Sequence, residues 1–302
     1  MQLPRIHALA CAAALPLTLG SAWAQVDTLK AIRDSGKLVM GVRDASGAMS
    51  FTLGPGQYTG FHVEVCNRIV PDIKAAARLD KLEVVYQLVT PQNRISLVRN
   101  GTVHLECGTT TNNAARQQEV AFAPTLFVEG VRIAVKASSP VAGVAQLSGK
   151  TVAATAGSTA VQAVRKMGRE ASGQMTEVLG KDNSEGFLLL ETGRADAFVA
   201  DGQILATLIS RSREPAQYKI LEPVLSVEPL AIMIPKDPAF KAVVDQSVAA
   251  LAKSGEVARL YDKWFMQPIP PQGIRVGLPA NAQTKAAWAN PSDKPVEDYG
   301  PR

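Results

Sequence analysis

The stretch LVRNGTVHLECGTTTNN, residues 97–113, carries three structural signals one after another. Its first four residues close a helix that opens at Asn93, and Gly101 stops that helix. VHLEC (103–107) is apolar and short enough for a buried strand. The strand then runs into Gly108, three threonines and two asparagines, with Arg116 about one helical turn beyond Asn113. A hydroxyl-rich run between a buried strand and a helix is either an ordinary turn and cap or one wall of a site for a small anion. The order helix, glycine, strand returns at LLETGRADAFVA (189–200), and this echo suggests two similar α/β lobes.

Outward from that stretch the alternation continues. LVMGVR (38–43) and LEVVYQLV (82–89) read as strands, and Cys66, Ile69, Val70 and Ile73 share one face of a helix in which Pro71 should cause a kink or an early end. In the second half KTVAATA (150–156) and ADAFVA (195–200) read as strands, each leading into a helix, and PLAIMIP (229–235) reads as one more apolar strand. Strands alternating with helices indicate βαβ units around a parallel sheet. After Trp264 comes PIPPQG and a polar tail, expected to be extended and to lie on the surface.

The chain has 302 residues, and its first 24, with Arg5, an apolar stretch and the close Ala22-Trp23-Ala24, have the pattern of a secretory signal. Cleavage there leaves 278 residues, lowers the net charge from +5 to +4 through the loss of Arg5, and makes the expected location periplasmic. The remaining basic residues are scattered, so neither nucleic acid nor an anionic membrane is implied as a partner. Two cysteines remain, Cys66 and Cys107; an oxidising compartment favours pairing them, and two buried free thiols are the alternative. The histidines show no metal-ligand spacing, and neither a nucleophile elbow nor a phosphate-binding glycine loop is present. No cofactor, metal or catalytic group is therefore expected.

In open α/β sheets ligands sit beyond the carboxyl ends of strands. Five groups of residues stand at such points. Arg116, Thr109 and Thr111 follow the strand 103–107; Arg116 is either a solvated helix cation or a partner for a carboxylate. Thr155 and Ser158 bracket Gly157 at a strand-to-helix junction, where free backbone N–H groups suit a carboxylate. Asp201 ends a strand, and either caps the next helix or receives an ammonium. Arg43 ends the first strand and Arg94 opens the helix after LVTPQ, where they are surface charges or a second cationic pocket. On this count the cleft holds three cations against one carboxylate, an excess that favours an amino acid with an acidic side chain.

The chain resembles the periplasmic glutamate/aspartate-binding proteins of ABC transporters, within the polar amino-acid solute-binding family. The residues that carry the resemblance are TPQNRISLVRNGTVHLECGTTTNNAARQQEVAFAPTLFVEGVRIAVK (90–136), LETGRADAFVADG (190–202), SGEVARLYDKWF (254–265) and PIPPQG (268–273). It implies a two-lobe periplasmic-binding-protein fold (type II), each lobe a central, mostly parallel sheet flanked by helices, with two hinge strands in VRIAVK and PLAIMIPK. Carried onto this chain, residues 25–131 plus 234–302 form lobe 1 and residues 132–233 form lobe 2. The resemblance implies Arg116, Thr109, Thr111, Thr155 and Ser158 around an α-carboxylate, Asp201 on the ammonium, Arg43 and Arg94 on a side-chain carboxylate, and a Cys66–Cys107 bridge. It also implies a monomer that hands a glutamate or aspartate to a membrane permease; a dehydratase-like enzyme and a sensory receptor are the alternatives. The chain departs from the pattern at Pro91, where relatives carry serine, at Asn183, where they carry histidine, and at Gly47 to Phe51, where they are richer in aromatics. The first two departures touch the expected side-chain pocket, and Asn183 is counted with the eight residues above as a ninth ligand-binding candidate.

Overall fold

A computed structural model describes residues 27–170 and 174–299 of the chain. The expected signal segment, residues 1–24, lies outside the described residues. The first part contains α1 (Thr28–Ser35), β1 (Lys37–Val42), the hairpin β2 (Phe51–Gly54) and β3 (Gln57–Thr59), α2 (Phe61–Ala76), β4 (Glu83–Leu88), α3 (Arg94–Arg99), β5 (Leu105–Glu106), α4 (Ala114–Gln117) and β6 (Ala121–Phe122). The chain continues through β7 (Phe127–Lys136), β8 (Thr151–Thr155), α5 (Thr159–Glu170), β9 (Thr176–Gly180), α6 (Asn183–Glu191), β10 (Ala197–Asp201), α7 (Gly202–Arg211), β11 (Tyr218–Ile220) and β12 (Ser226–Leu230). It then returns through β13 (Met233–Ile234), α8 (Pro238–Lys253), α9 (Glu256–Tyr261) and α10 (Ala282–Ala289).

Two sheets organise these elements. The first has the order β4-β1-β5-β13-β6, with β1 parallel to β4 and β5 and with β13 antiparallel to β5 and β6. The second has the order β11-β7-β10-β8-β9, with β12 also on β7; β8, β9 and β10 run parallel, and β7 is antiparallel to its three neighbours. Both sheets are thus mixed rather than purely parallel, because the chain crosses between them and comes back. The run 229–235, expected as one strand, is divided for the same reason. Its start pairs with β7 as the end of β12, and its later residues enter the first sheet as β13.

Each sheet has its own core. In the first, α2 packs under the aromatic residues Tyr261, Trp264 and Phe265, with Tyr261 and Phe265 stacked at 4.4 Å between centroids. Pro71 does not end α2, which continues to Ala76. In the second, Val131, Ile133 and Val135 of β7 meet Val161, Val164 and Met167 of α5, while Ala134 faces the other side with Phe198 and Leu205. That alternation is the two-residue period of a strand covered on both faces. Phe127 and Leu230, the cross-strand pair at one end of the β7–β12 ribbon, pack in the first core, whereas Val131 packs in the second.

The tail differs from expectation. It forms α10, capped by Asn281, whose side chain accepts from the Thr284 amide. Asn281 Nδ2 donates to the Val128 carbonyl at 2.7 Å and Trp288 Nε1 to the Leu126 carbonyl at 2.7 Å, so the helix is seated along β7. Beyond it the Thr125 amide donates to Ser292 O and the Val296 amide to Asn112 O, each at 2.9 Å. An alanine-rich helix with one tryptophan offers little periodicity, and these bonds hold it in place.

Cys66 on α2 and Cys107 after β5 form a disulfide with Cα atoms 6.4 Å apart, closing a loop of 41 residues. A Cys66→Ser/Cys107→Ser double variant should lose roughly 3–4 kcal/mol by the loop-entropy relation. Denaturant unfolding of the two proteins checks this.

Candidate functional site

The carboxyl ends of β1, β5, β8 and β10 point to one cavity between the two sheets. Arg43, Pro91, Arg94, Thr109, Thr111, Ser158, Asn183 and Asp201 line it, together with Thr159, Ala160, Ala200 and Ile204. Seven of the nine residues selected from sequence therefore share one cavity. The other two stand just behind it. Thr155 Oγ1 donates to Asn183 Oδ1 at 2.7 Å, and Arg116 Nη1 donates to the Thr111 carbonyl at 2.8 Å. Pro91, whose carbonyl side meets Gly157, and Thr159 are cavity residues that the sequence reading did not select as ligand groups.

Local structure explains how the side chains arrive there. Asn93 Oδ1 accepts from the Thr90 amide, and this turn launches α3 with Arg94 as its first residue. Asn113 caps α4 by accepting from the Arg116 amide, which fixes the root of that arginine. Asp201 ends β10 and precedes α7 but makes no side-chain capping bond, so its carboxyl group is left for the cavity.

Arg43 and Arg94 are each only 3% exposed. Arg43 Nη1 and Arg94 Nε have no hydrogen-bond partner, and among the described residues neither guanidinium has an ion-pair partner within 4.0 Å. Burial, and then the charge of Arg94, lower the Arg43 pKa to about 10. Burial also lowers that of Arg94, and burial with Arg94 nearby brings Arg116 down to about 10. All three remain cationic at neutral pH. Asp201 moves the opposite way: burial first, then Glu228 and Glu129, raise its pKa well above the usual carboxylate range against the pull of Arg94 and Arg116.

Two carboxylates correct the count of three cations against one anion. Glu106 is fully buried, accepts from Thr110 Oγ1 at 2.7 Å, and lies against Gly108 and the Arg43 stem. Glu228, on β12, accepts from Thr111, from Thr159 at 2.9 Å and from Ser226 at 2.6 Å. The local charges are therefore near balance, and selection of an anion rests on where the unpaired guanidiniums stand rather than on net charge.

A family model for the bacterial extracellular solute-binding proteins, family 3, matches residues 38–267. The chain belongs to that family. This solute-binding protein is 39% identical over 273 residues to an L-glutamate/L-aspartate-binding protein of Pseudomonas aeruginosa, covering 89% of this chain and 90% of that one. It is 35% identical over 290 residues to a glutamate/aspartate import solute-binding protein of Escherichia coli, with 96% of each covered. Among solved structures, the P235GK mutant of ArgBP from T. maritima superposes with a TM-score of 0.69 at 25% identity, over 78% of this chain and 98% of that one. The type II periplasmic-binding-protein fold is common to these neighbours.

The halves of this solute-binding protein touch across the cleft. Asn183 Nδ2 donates to the Ala45 carbonyl at 2.7 Å, Gln92 Nε2 to the Lys181 carbonyl at 3.3 Å, and the Arg211 guanidinium lies 4.4 Å from the Phe51 ring centroid. Asn183, at a position where the resemblance expects a cation, thus uses its amide to join Thr155 on one side of the cleft to Ala45 on the other. Gly157 meets Pro91 so closely that a Cβ there would sit 2.9 Å from the Pro91 carbonyl carbon and oxygen, and its φ of +78° already favours glycine. Gly157→Ala should hold the cleft open and weaken ligand binding by about tenfold or more. Small-angle scattering and calorimetry of wild type and variant check this.

His62 supports the floor of the site, its Nδ1 2.6 Å from the Gly108 carbonyl, and burial lowers its pKa to about 4. Between pH 6.5 and 4 the unfolded chain protonates this residue while the native one does not, so stability falls as pH falls through that window. Relative to His62→Gln, the wild type should lose up to about 3 kcal/mol across it. Comparing wild type with variant removes the contribution of Asp201 and Glu129, whose raised values act in the opposite sense. Urea titrations at several pH values measure the difference.

Proposed function

We propose that this protein is the extracytoplasmic receptor of an ABC importer, closing on an acidic amino acid and presenting it to a membrane permease. The observation that carries the reading is the pair of buried guanidiniums, Arg43 and Arg94, lining the cavity with no carboxylate within 4.0 Å among the described residues. A buried charge left unpaired costs several kcal/mol, so such a pair is suited to an anion that comes and goes. Arg43 and Arg94 take the side-chain carboxylate; Thr109, Ser158 and the ordered groups behind them, Thr155 and Arg116, surround the α-carboxylate; Asp201 takes the ammonium. Thr111, expected with Thr109, is left out of that shell because its hydroxyl donates to Glu228. Arrival of an ammonium favours the ionised form of Asp201, so binding releases protons. The relatives named for glutamate and aspartate support this choice of ligand.

In this reading residues 25–131 plus 234–302 form one lobe and residues 132–233 the other, and β7 and β12 are the hinge. On the same reading the chain acts without chemistry, in keeping with relatives named for binding and for import. A dehydratase-like activity would need a positioned acid or base, for which Glu106 and Asp201 are the candidates near the cleft; Glu106 is not among the cavity-lining residues, and Asp201, which is, takes the ammonium in this reading. No helix among the described residues is long and apolar enough to cross a membrane. A protein that works beside a permease in the periplasm as a monomer fits these features.

Ligand at about 100 times its Kd should stabilise the native state by about 2.7 kcal/mol. The melting temperature should therefore rise with L-glutamate or L-aspartate and stay still with L-lysine. Arg94→Met should abolish the rise. Stabilisation by neutral or basic amino acids and by neither acid would overturn the reading.

A further inference from the structure

Glu228 was not expected from sequence to belong to the site, and its surroundings are unusual. It is 2% exposed and, among the described residues, has no cation within ion-pairing distance of 4.0 Å. Its register partner across the β7–β12 ladder is another carboxylate, Glu129. Like charges directly opposite on antiparallel strands are destabilising. What Glu228 has instead is hydroxyls: Oε2 accepts from Thr111 and Thr159, and Oε1 accepts from Ser226.

Those two threonines come from opposite sides of the cleft. Thr111 follows β5, and its loop is docked on β12 through the Asn112 amide to the Pro229 carbonyl at 2.8 Å. Thr159 opens α5 against the second sheet. Both line the cavity that holds Arg43, Arg94 and Asp201, and both also line a groove on the far side, where Glu228 stands with Lys166, Arg169 and Glu297. The Thr111–Glu228–Thr159 cluster is therefore the partition between the cavity and that groove. Each threonine commits its single hydroxyl proton to Glu228, so toward the cavity each offers only lone pairs.

We propose that Glu228 is a positioning residue for the ligand cavity: its carboxylate draws Thr111 and Thr159 together from the two halves, fixes both hydroxyls as acceptors, and seals the back of the site when the cleft shuts. This rests on the functional reading above for the identity of the ligand but not for the closure itself. The charge opposite Glu129 is tolerated because three hydroxyls bond to Glu228 and because burial raises the Glu129 pKa to about 7, which weakens the repulsion.

The test is calorimetric titration with L-glutamate of wild type, Glu228→Gln, Glu228→Asp, Thr159→Val and the Glu228→Gln/Thr159→Val pair, each first checked for a cooperative melt. Glu228→Gln and Thr159→Val are expected to weaken binding by about tenfold or more. The pair should be little worse than Glu228→Gln alone, and Glu228→Asp, which keeps the charge, should recover part of the loss. Binding by Glu228→Gln within twofold of wild type, or effects of the two substitutions that multiply, would overturn the proposal. If Glu228→Gln does not fold, Thr159→Val alone decides, with a Kd within twofold of wild type counting against the proposal. Should wild type bind no acidic amino acid, the functional reading fails separately. Glu228 is then scored by small-angle scattering without ligand: a larger radius of gyration for Glu228→Gln or Thr159→Val supports the seal, and an unchanged one overturns it.

Discussion

The cost of keeping a guanidinium away from water governs this molecule. Arg43 and Arg94 are buried at the ends of elements that the first core holds in place, and among the described residues no carboxylate pairs with them within 4.0 Å. A surface arginine could relax into solvent, but these two are fixed at the carboxyl end of β1 and the start of α3. The disulfide between α2 and the residue after β5 reinforces the same corner. Rigidity there means that an arriving anion need not organise the site, which keeps the ordering cost of binding low.

The second half supplies the complement. Thr155, Ser158, Asn183 and Asp201 all sit where strands of the second sheet turn into helices, so under the proposed hinge one rotation about the β7–β12 ribbon would carry the set toward the arginines together. The contacts made on closing are few and local: an amide to a carbonyl, a glycine against a proline, an arginine over a phenylalanine ring. Each is individually weak. A shut cleft held by such contacts is poised, and ligand charge supplies the remainder.

Much of this is legible in the amino-acid sequence itself. The alternation of strand and helix, and the clustering of hydroxyls and arginines at strand ends, follow from chain geometry: in a sheet of this kind the carboxyl ends of parallel strands share one edge. Seven of the nine selected residues meet there for that reason. Glu228 escaped because a single carboxylate just ahead of the apolar run 229–235 carries no sign of which face it takes; only the pairing partner and the loop of Thr111 decide which face is inside. The split of the run 229–235 escaped because a continuous apolar stretch does not reveal that it changes sheets. Asn183 stood out as a departure from the family pattern, but its amide bond to Ala45 depends on two segments separated by 138 positions.

The tail helix bears on the order in which the molecule is assembled. Residues 281–299 fasten the start of β7 and the Asn112 loop by bonds to Leu126, Val128, Thr125 and Asn112. Neither sheet takes a strand from residues 281–299. Both sheets can therefore acquire their strands before this stretch docks, and α10 with the residues after it acts as a clasp applied to two bodies already formed.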